Sequence, residues 1–415
     1  MQKMVAEGGV PVQAGPIAVT RTAFPVILAL SFCHMLNDMM QSLISALYPM
    51  LKADFHLDFA QIGLLTLSFQ LTASLLQPLV GLYTDRKPQP YSLAVGMGST
   101  LVGLVLLAQA HSFGMLVFAA SLVGVGSSVF HPESSRVARL ASGGRYGLAQ
   151  SLFQVGGNAG QAVGPLLAAL VVLPRGQGAI AWFSFAAMLG MFVLAMVGRW
   201  YKPRMTPPRS KKSGGVSATG LTSAQVGFAI SVLIALIFSK NVYTASLSSY
   251  YTFYLIHRFG LSVSDATVML FLFMASVAVG TLLGGPLGDR IGRKAVMWVS
   301  ILGVLPFTMA LPYVSLVWTG ALTMVIGALM ASAFPAILVY AQELLPGRVG
   351  MVAGIFFGFA FGLGGLGAAA MGRLADATSI EFVYKVTAFL PLLGLLTALL
   401  PDLAKARERA AEAAG

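Results

Sequence analysis

Two charged side chains, Asp38 and Lys240, sit well inside otherwise apolar stretches of the chain. Around the first, His34, Asp38, Gln41, Ser45 and Tyr48 follow i, i+4, i+7, i+11 and i+14 spacing. That places all five on one helix face, with Asn37 beside them. A second stretch repeats the design with Lys240, Tyr243, Leu247, Tyr250 and Tyr254. Charges and hydroxyls are costly in hydrocarbon, so such residues point to a function that needs them. A carboxylate can take up a proton, and an ammonium group can hold an anion. Opposite charges at similar depth predict an ion pair across a central cavity. Protonating Asp38 would release Lys240 to meet an anionic substrate group, and the tyrosine hydroxyls would line the same space.

A third set follows Ser127-Ser128-Val129-Phe130. Here His131 can change charge near neutral pH, Pro132 interrupts helical hydrogen bonding, and Glu133 and Arg136 lie three positions apart. His131 and Glu133 are therefore further proton-carrying candidates, and Arg136 a further anion ligand. Gln150, Gln154, Asn158 and Gln161 recur at helical spacing, as do Gln70, Ser74 and Gln77. Amides offer donors and acceptors without a charge penalty, which suits a hydrated pathway. Several chemistries have no signature. There is no Gly-x4-Gly-Lys-Ser/Thr phosphate loop, no His/Cys cluster with metal-ligand spacing, and no nucleophile in a recognisable elbow. Neither ATP, a metal nor another cofactor is expected.

These residues need elements that cross a membrane. Of 415 residues, 57% are hydrophobic and 10% charged, with a mean hydropathy of +0.82. A water-soluble domain could not cover its surface with that balance. Long unbroken apolar runs predict helices rather than the alternating strands of a barrel. Spans are expected at about 24–50, 61–83, 91–110, 113–131, 148–173 and 179–199. A second set is expected at about 224–256, 266–287, 295–313, 315–341, 350–371 and 382–400. The fold class is thus an all-α membrane protein of twelve transmembrane helices in two six-helix bundles, 24–199 and 223–402. A tail over 1–23, a Pro-, Ser- and Lys/Arg-rich linker over 200–222 and a tail over 403–415 complete the chain. Most of the 26 Lys and Arg residues fall on the side holding both tails and the linker, which predicts cytoplasmic termini and assigns the net charge of +12 to orientation in the lipid bilayer, not to nucleic acid. A monomer is expected, and the single cysteine, Cys33, rules out an intramolecular disulfide.

The halves repeat. Asn37 and Asn241, Asp85 and Asp289, and Phe130 and Phe334 are each 204 positions apart, while Gly-Arg-Tyr-Gly at 144–147 recurs as Gly-Arg-Val-Gly at 347–350. Six-span parallel repeats are the layout of the major facilitator superfamily. The loop Gly285-Pro-Leu-Gly-Asp289-Arg290-Ile-Gly-Arg293-Lys294 resembles that superfamily's cytoplasmic loop motif. Gly81-Leu-Tyr-Thr-Asp85-Arg86-Lys87 is its shortened first-half copy. The resemblance implies a conformational latch, with glycines permitting close approach and each Asp accepting from a neighbouring helix N-terminus. Gly160, Gly164 and Pro165, with Ala168 and Ala169 where the pattern prefers glycine, resemble the packing motif of its drug/proton antiporters. Where many of those exporters carry an Arg in span 4, this chain has Ala120.

Several longer stretches are similar to bacterial fosmidomycin-resistance proteins. These are His34 to Leu43, Ser127 to Arg145, Gln154 to Asn158, Ser248 to Leu255, Tyr340 to Arg348 and the glycine-rich run 354–367. The resemblance covers roughly residues 24–402. It implies proton-driven efflux of a small anionic drug through the bacterial inner membrane, with the proton gradient as energy source. Asp38, with His131 and Glu133, would carry the proton. Lys240 would anchor the anion among His34, Asn37, Gln41, Tyr243, Tyr250, Tyr254, Gln154, Asn158 and Arg136. Two rivals predict different observables. A proton symporter for a sugar phosphate or organic anion would reverse the direction of flux, and a membrane enzyme or receptor would turn substrate over or carry a partner domain.

Overall fold

The computed structural model describes residues 21–205 and 220–403, with positions 406 and 412 beyond them. Of the expected tails and linker, residues 1–20, 206–219 and most of 404–415 lie outside the described residues. Among the described residues no β-strand occurs, eleven helices are long and apolar enough to cross a membrane, and a shorter apolar helix makes a twelfth. They are α1 (Phe24–Ala46), α2 (Leu64–Arg86), α3 (Ser92–Ala108), α4 (Phe113–Ala141), α5 (Tyr146–Val172) and α6 (Gln177–Arg204). The second six are α7 (Ser223–Phe259), α8 (Val263–Ile291), α9 (Arg293–Tyr313), α10 (Leu316–Leu344), α11 (Val349–Ala377) and α12 (Ile380–Leu399). Helices satisfy their own backbone groups, as hydrocarbon requires. Val95, Phe185, Phe192, Phe271 and Val317 are exposed, and lipid is the medium that can cover them.

Lipid gives apolar side chains no reason to seek each other, so small residues that let backbones touch hold the bundle together. Gly156, Gly160 and Gly164 of α5 form an i+4 ridge against Ser31, Met35 and Met39 of α1, where an added Cβ would overlap the α1 backbone. The expected packing motif therefore joins α5 to α1 inside the first half, and just past Pro165 the helix widens into a π turn over Ala168–Val172. Gly280 and Gly284 of α8 make the corresponding contact with Ala328 and Ser332 of α10.

One boundary differs from expectation in a way that matters. The fourth span was expected to end at 131, but α4 continues through Pro132 to Ala141. Proline removes one hydrogen bond, yet Ser134, Ser135, Val137, Ala138 and Ala141 beyond it are all buried. Packing on neighbouring helices outweighs the local defect. Glu133, Arg136 and Arg139 consequently belong to the same helix as His131 and face the protein interior.

The two halves meet at the end of the molecule that carries Asp85 and Asp289. Along the α11 ridge, a Cβ at Gly350 would approach the Gly81 backbone, one at Gly354 the Gln77 carbonyl, and one at Gly358 the Ser74 carbonyl. At Gly362, the next residue of the ridge, a Cβ would meet nothing within 4 Å. The halves are in backbone contact at one end and diverge toward the other.

Candidate functional site

Asp38 lies within the first half, almost completely buried. Helix α1 carries it between His34 and Gln41, α4 supplies His131, and α5 supplies Gln161. The Nε2 atoms of His34 and His131 each stand 3.5 Å from the carboxylate, one on each oxygen. Amide donors also reach it, from Asn37 at 3.0 Å, Gln41 at 3.3 Å and Gln161 at 3.0 Å.

The imidazole tautomers follow from their other contacts. His34 Nδ1 lies 2.8 Å from the Phe153 carbonyl and His131 Nδ1 lies 3.0 Å from the Ser127 carbonyl. A carbonyl can only accept, so each Nδ1 carries the proton. In a neutral ring the Nε2 lone pair then faces the carboxylate, an unfavourable contact. Once protonated, the same nitrogen offers N–H⁺ to Asp38, a charge-assisted contact. Protonation of either ring thus turns its contact with the carboxylate from unfavourable to favourable.

Spacing along the chain hides this grouping because His131 arrives from another helix. His34, expected among the substrate-facing groups, is fully enclosed here, stacked on Phe153 at 4.1 Å between ring centroids. The three ligand atoms lie within 4.8 Å of one another, a spacing that would admit a chelated cation. Three amides already occupy the carboxylate, however, and a metal would have to displace them.

Gly157 makes the cluster possible. A Cβ there would stand 2.5 Å from the His34 ring and 3.0 Å from Asp38 Oδ2. The ring cannot retreat, being stacked on Phe153 and bonded to its carbonyl. Gly157→Ala is therefore expected to reduce transport at least tenfold while changing the melting temperature by only a few degrees. Transport assays and thermal unfolding on the same preparation check this.

Lys240 does not pair with Asp38 in this conformation. Its Nζ donates to Asn241 Oδ1 at 3.2 Å and stands 5.4 Å above the Phe334 ring. The expected ion pair is replaced by two separate centres, a carboxylate held by imidazoles and amides in one half and an ammonium in the other. Asn241, the repeat partner of Asn37, thus joins the site, a role its place in the repeat did not by itself predict. Its buried Nδ2 has no hydrogen-bond partner, which leaves an unused donor beside the ammonium.

Tyr243 and Tyr254 are fully buried in the core of the second half with Tyr251, and Tyr254 stacks on Tyr384 at 4.2 Å. Of the tyrosine stripe only Tyr250 is partly open. Gln154 lies 3.5 Å from Asn158, and Asn158 donates across the halves to Thr281 at 3.1 Å.

Glu133 and Arg136 form a salt bridge of 2.6 Å. Glu133 also accepts from Ser92, and Arg136 donates to the Thr84 carbonyl at 2.8 Å and lies over the Tyr201 ring. The pair ties the ends of α2, α3, α4 and α6 together.

Beside it lie the two loop aspartates. Asp85 accepts from the backbone N–H groups of Gly350 and Met351 at 2.9 and 2.8 Å, and Asp289 from those of Gly147 and Leu148, both at 3.0 Å. Each carboxylate thus caps the N-terminus of a helix in the other half, where helix dipole and free N–H groups favour an anion. The expected glycines stand next to them, Gly81 against Gly350 and Gly285 against Gly147. Arg293 bridges Asp289 at 3.0 Å and Glu343 at 3.3 Å, while Arg86 and Arg290 are exposed at the same end. A further cross-half link runs from Gln150 through Ser135 to Gln342, which accepts from Arg139. An amide in a late span was its available signal.

Residues 30–369, and in an overlapping match 259–415, fit the Major Facilitator Superfamily. The Fosmidomycin resistance protein of Escherichia coli is 61% identical over 94% of this chain and 96% of its own length. An uncharacterized MFS-type transporter of Bacillus subtilis, YfnC, is 40% identical over 93% of this chain and 95% of its own. Among solved structures, the transporter FucP in its outward conformation superposes with a TM-score of 0.72, at 15% identity, over 92% of this chain and 99% of its own.

Proposed function

The chain belongs to the Major Facilitator Superfamily, and on that premise we propose that it exports a small anionic compound, fosmidomycin or a related phosphonate, across the bacterial inner membrane in exchange for inward-moving protons. It is a multi-pass membrane transporter of small molecules. The observation that carries the finer reading is the separation of the two charged centres, Asp38 with its two histidines in one half and Lys240 in the other. The 61% identity to a fosmidomycin resistance protein supports the choice of substrate.

Proton uptake at the His34–Asp38–His131 cluster changes its charge and its internal hydrogen bonds. Substrate binding engages Lys240, which has two N–H bonds beyond the one given to Asn241, together with the Asn241 amide. A phosphonate oxygen is a strong acceptor for both. Taking the basic, latched end as cytoplasmic, the conformation described is closed toward the cytoplasm. Breaking the Asp85 and Asp289 contacts opens that end and closes the other. Because the halves rock as units, the charge at Asp38 and the occupancy of Lys240 bias the same equilibrium.

Expression in a fosmidomycin-sensitive bacterium tests this. The wild-type chain is expected to raise the inhibitory concentration, and equal drug sensitivity with and without it would overturn the assignment. Lys240→Ala should weaken substrate binding by roughly 10- to 100-fold, the loss of one charge-assisted hydrogen bond, whereas Lys240→Arg retains part of it. Binding titration on purified protein measures both.

A further inference from the structure

The proton cluster is enclosed mostly by its own half, and one wall comes from the other. Phe130 and Phe153 flank His34, with centroids at 5.6 and 4.1 Å. Phe357 reaches in from α11 of the second half, its ring 5.1 Å from His131 and 6.2 Å from Phe153. On its far side Phe357 meets Phe334 at 5.1 Å, the ring beneath Lys240. A chain of aromatic contacts thus separates the carboxylate centre from the ammonium centre, and Phe357 is the member that crosses between halves.

The ionisable groups facing this region are His34 and Asp38 from α1, His131 from α4 and, behind Phe334, Lys240 from α7. Glu133, the next carboxylate on α4, is engaged instead by Arg136 and Ser92. Protons reach a buried nitrogen along water or polar side chains, and a packed phenyl ring offers neither. Helix α11 begins at the latch, where the backbone N–H groups of Gly350 and Met351 donate to Asp85. Phe357 follows seven residues later, about 10 Å along the helix. When α11 moves as one rigid helix, parting Gly350 from Asp85 also shifts this ring relative to His131.

We infer that Phe357 is a proton gate: in the latched state it closes the His34–Asp38–His131 cluster toward the latched end, while Asp38 stays in contact with exposed Gln161 and half-buried Gln41, and parting the halves withdraws the ring, admitting the solution on the latched side to the cluster. The gate rests on the proton-coupled reading above. It makes proton access alternate with the same motion that alternates substrate access.

Purified variants in liposomes holding an internal pH dye, with a pH gradient and no substrate, test it. Wild type should be tight. Phe357→Ala should leak protons at least about tenfold faster than wild type, Phe357→Leu should stay close to wild type, and adding Asp38→Asn to Phe357→Ala should restore tightness. Fosmidomycin binding and thermal unfolding report folding, and Phe357→Val, which leaves a smaller void, carries the test where alanine does not fold. A tight alanine or valine variant overturns the gate, as does a leak that persists with Asp38→Asn, which would mark a mere packing hole. If Asp38→Asn alone still drives substrate from the gradient, the proton reading fails and the gate with it. A tight Phe357→Ala beside an uncoupled Asp38→Asn removes the gate alone.

Discussion

Asp38→Asn is expected to abolish gradient-driven movement of substrate while leaving substrate binding within a few-fold of wild type. Asparagine preserves the shape of the side chain and can still accept from Gln161, whose amide lies 3.0 Å from the wild-type carboxylate. What it removes is the charge that makes the 3.5 Å contacts to His34 and His131 depend on protonation. A group whose interaction energy is the same in both states cannot bias an equilibrium, however many contacts it keeps. Net flux should therefore fall by about 100-fold or more, equivalent to roughly 2.7 kcal/mol of lost coupling. Exchange of labelled for unlabelled substrate, which needs no proton, should survive. Gradient-driven flux and exchange, measured on the same liposomes, separate the two. If both were lost together, Asp38 would be a folding or binding residue instead.

The second large effect concerns the closed end. Each loop aspartate receives two backbone N–H bonds from a helix of the opposite half. Removing one carboxylate forfeits about 1.5–3 kcal/mol of charge-assisted bonding and leaves helix N–H groups exposed. Because the two sites act on one rigid-body transition yet share no atoms, their contributions should add. Asp85→Ala/Asp289→Ala is then expected to shift the conformational population by roughly 100-fold or more toward the parted state. Spin labels at Lys87→Cys and Gly347→Cys in a Cys33→Ser background, both exposed positions at this end, would report it. The distance distribution should move to a longer component in the double variant and partly so in either single one. An unchanged distribution would mean that the glycine contacts and the Arg139–Gln342 link hold the end closed without the aspartates.

Much of the architecture was legible because membrane solvent imposes so few solutions. Twelve apolar segments and a repeat linking Asp85 to Asp289 predicted a two-half helical bundle with a symmetric pair of loop aspartates at helix N-termini. The site was legible by residue type but not by partnership. Asp38 stood out as a buried charge, but its partners include His131, nearly a hundred residues away on α4, and Gln161 on α5. Hydropathy marks a residue as costly, but packing alone decides what neutralises it. The same limit explains Lys240, matched by charge to Asp38 but held by Asn241 and Phe334 instead. Helix α4 runs past its expected end because Pro132 is only a local breaker and the packing beyond it is tertiary. Gly157 and Phe357 carried no signal of their own, since glycine and phenylalanine are ordinary in a membrane helix.

The most direct test of antiport is fosmidomycin flux in liposomes containing the purified chain while a pH gradient is imposed and then collapsed. The account predicts substrate movement opposite to the proton gradient, ceasing on its collapse and absent with Asp38→Asn. Movement in the same direction as the protons, or flux indifferent to the gradient, would contradict it.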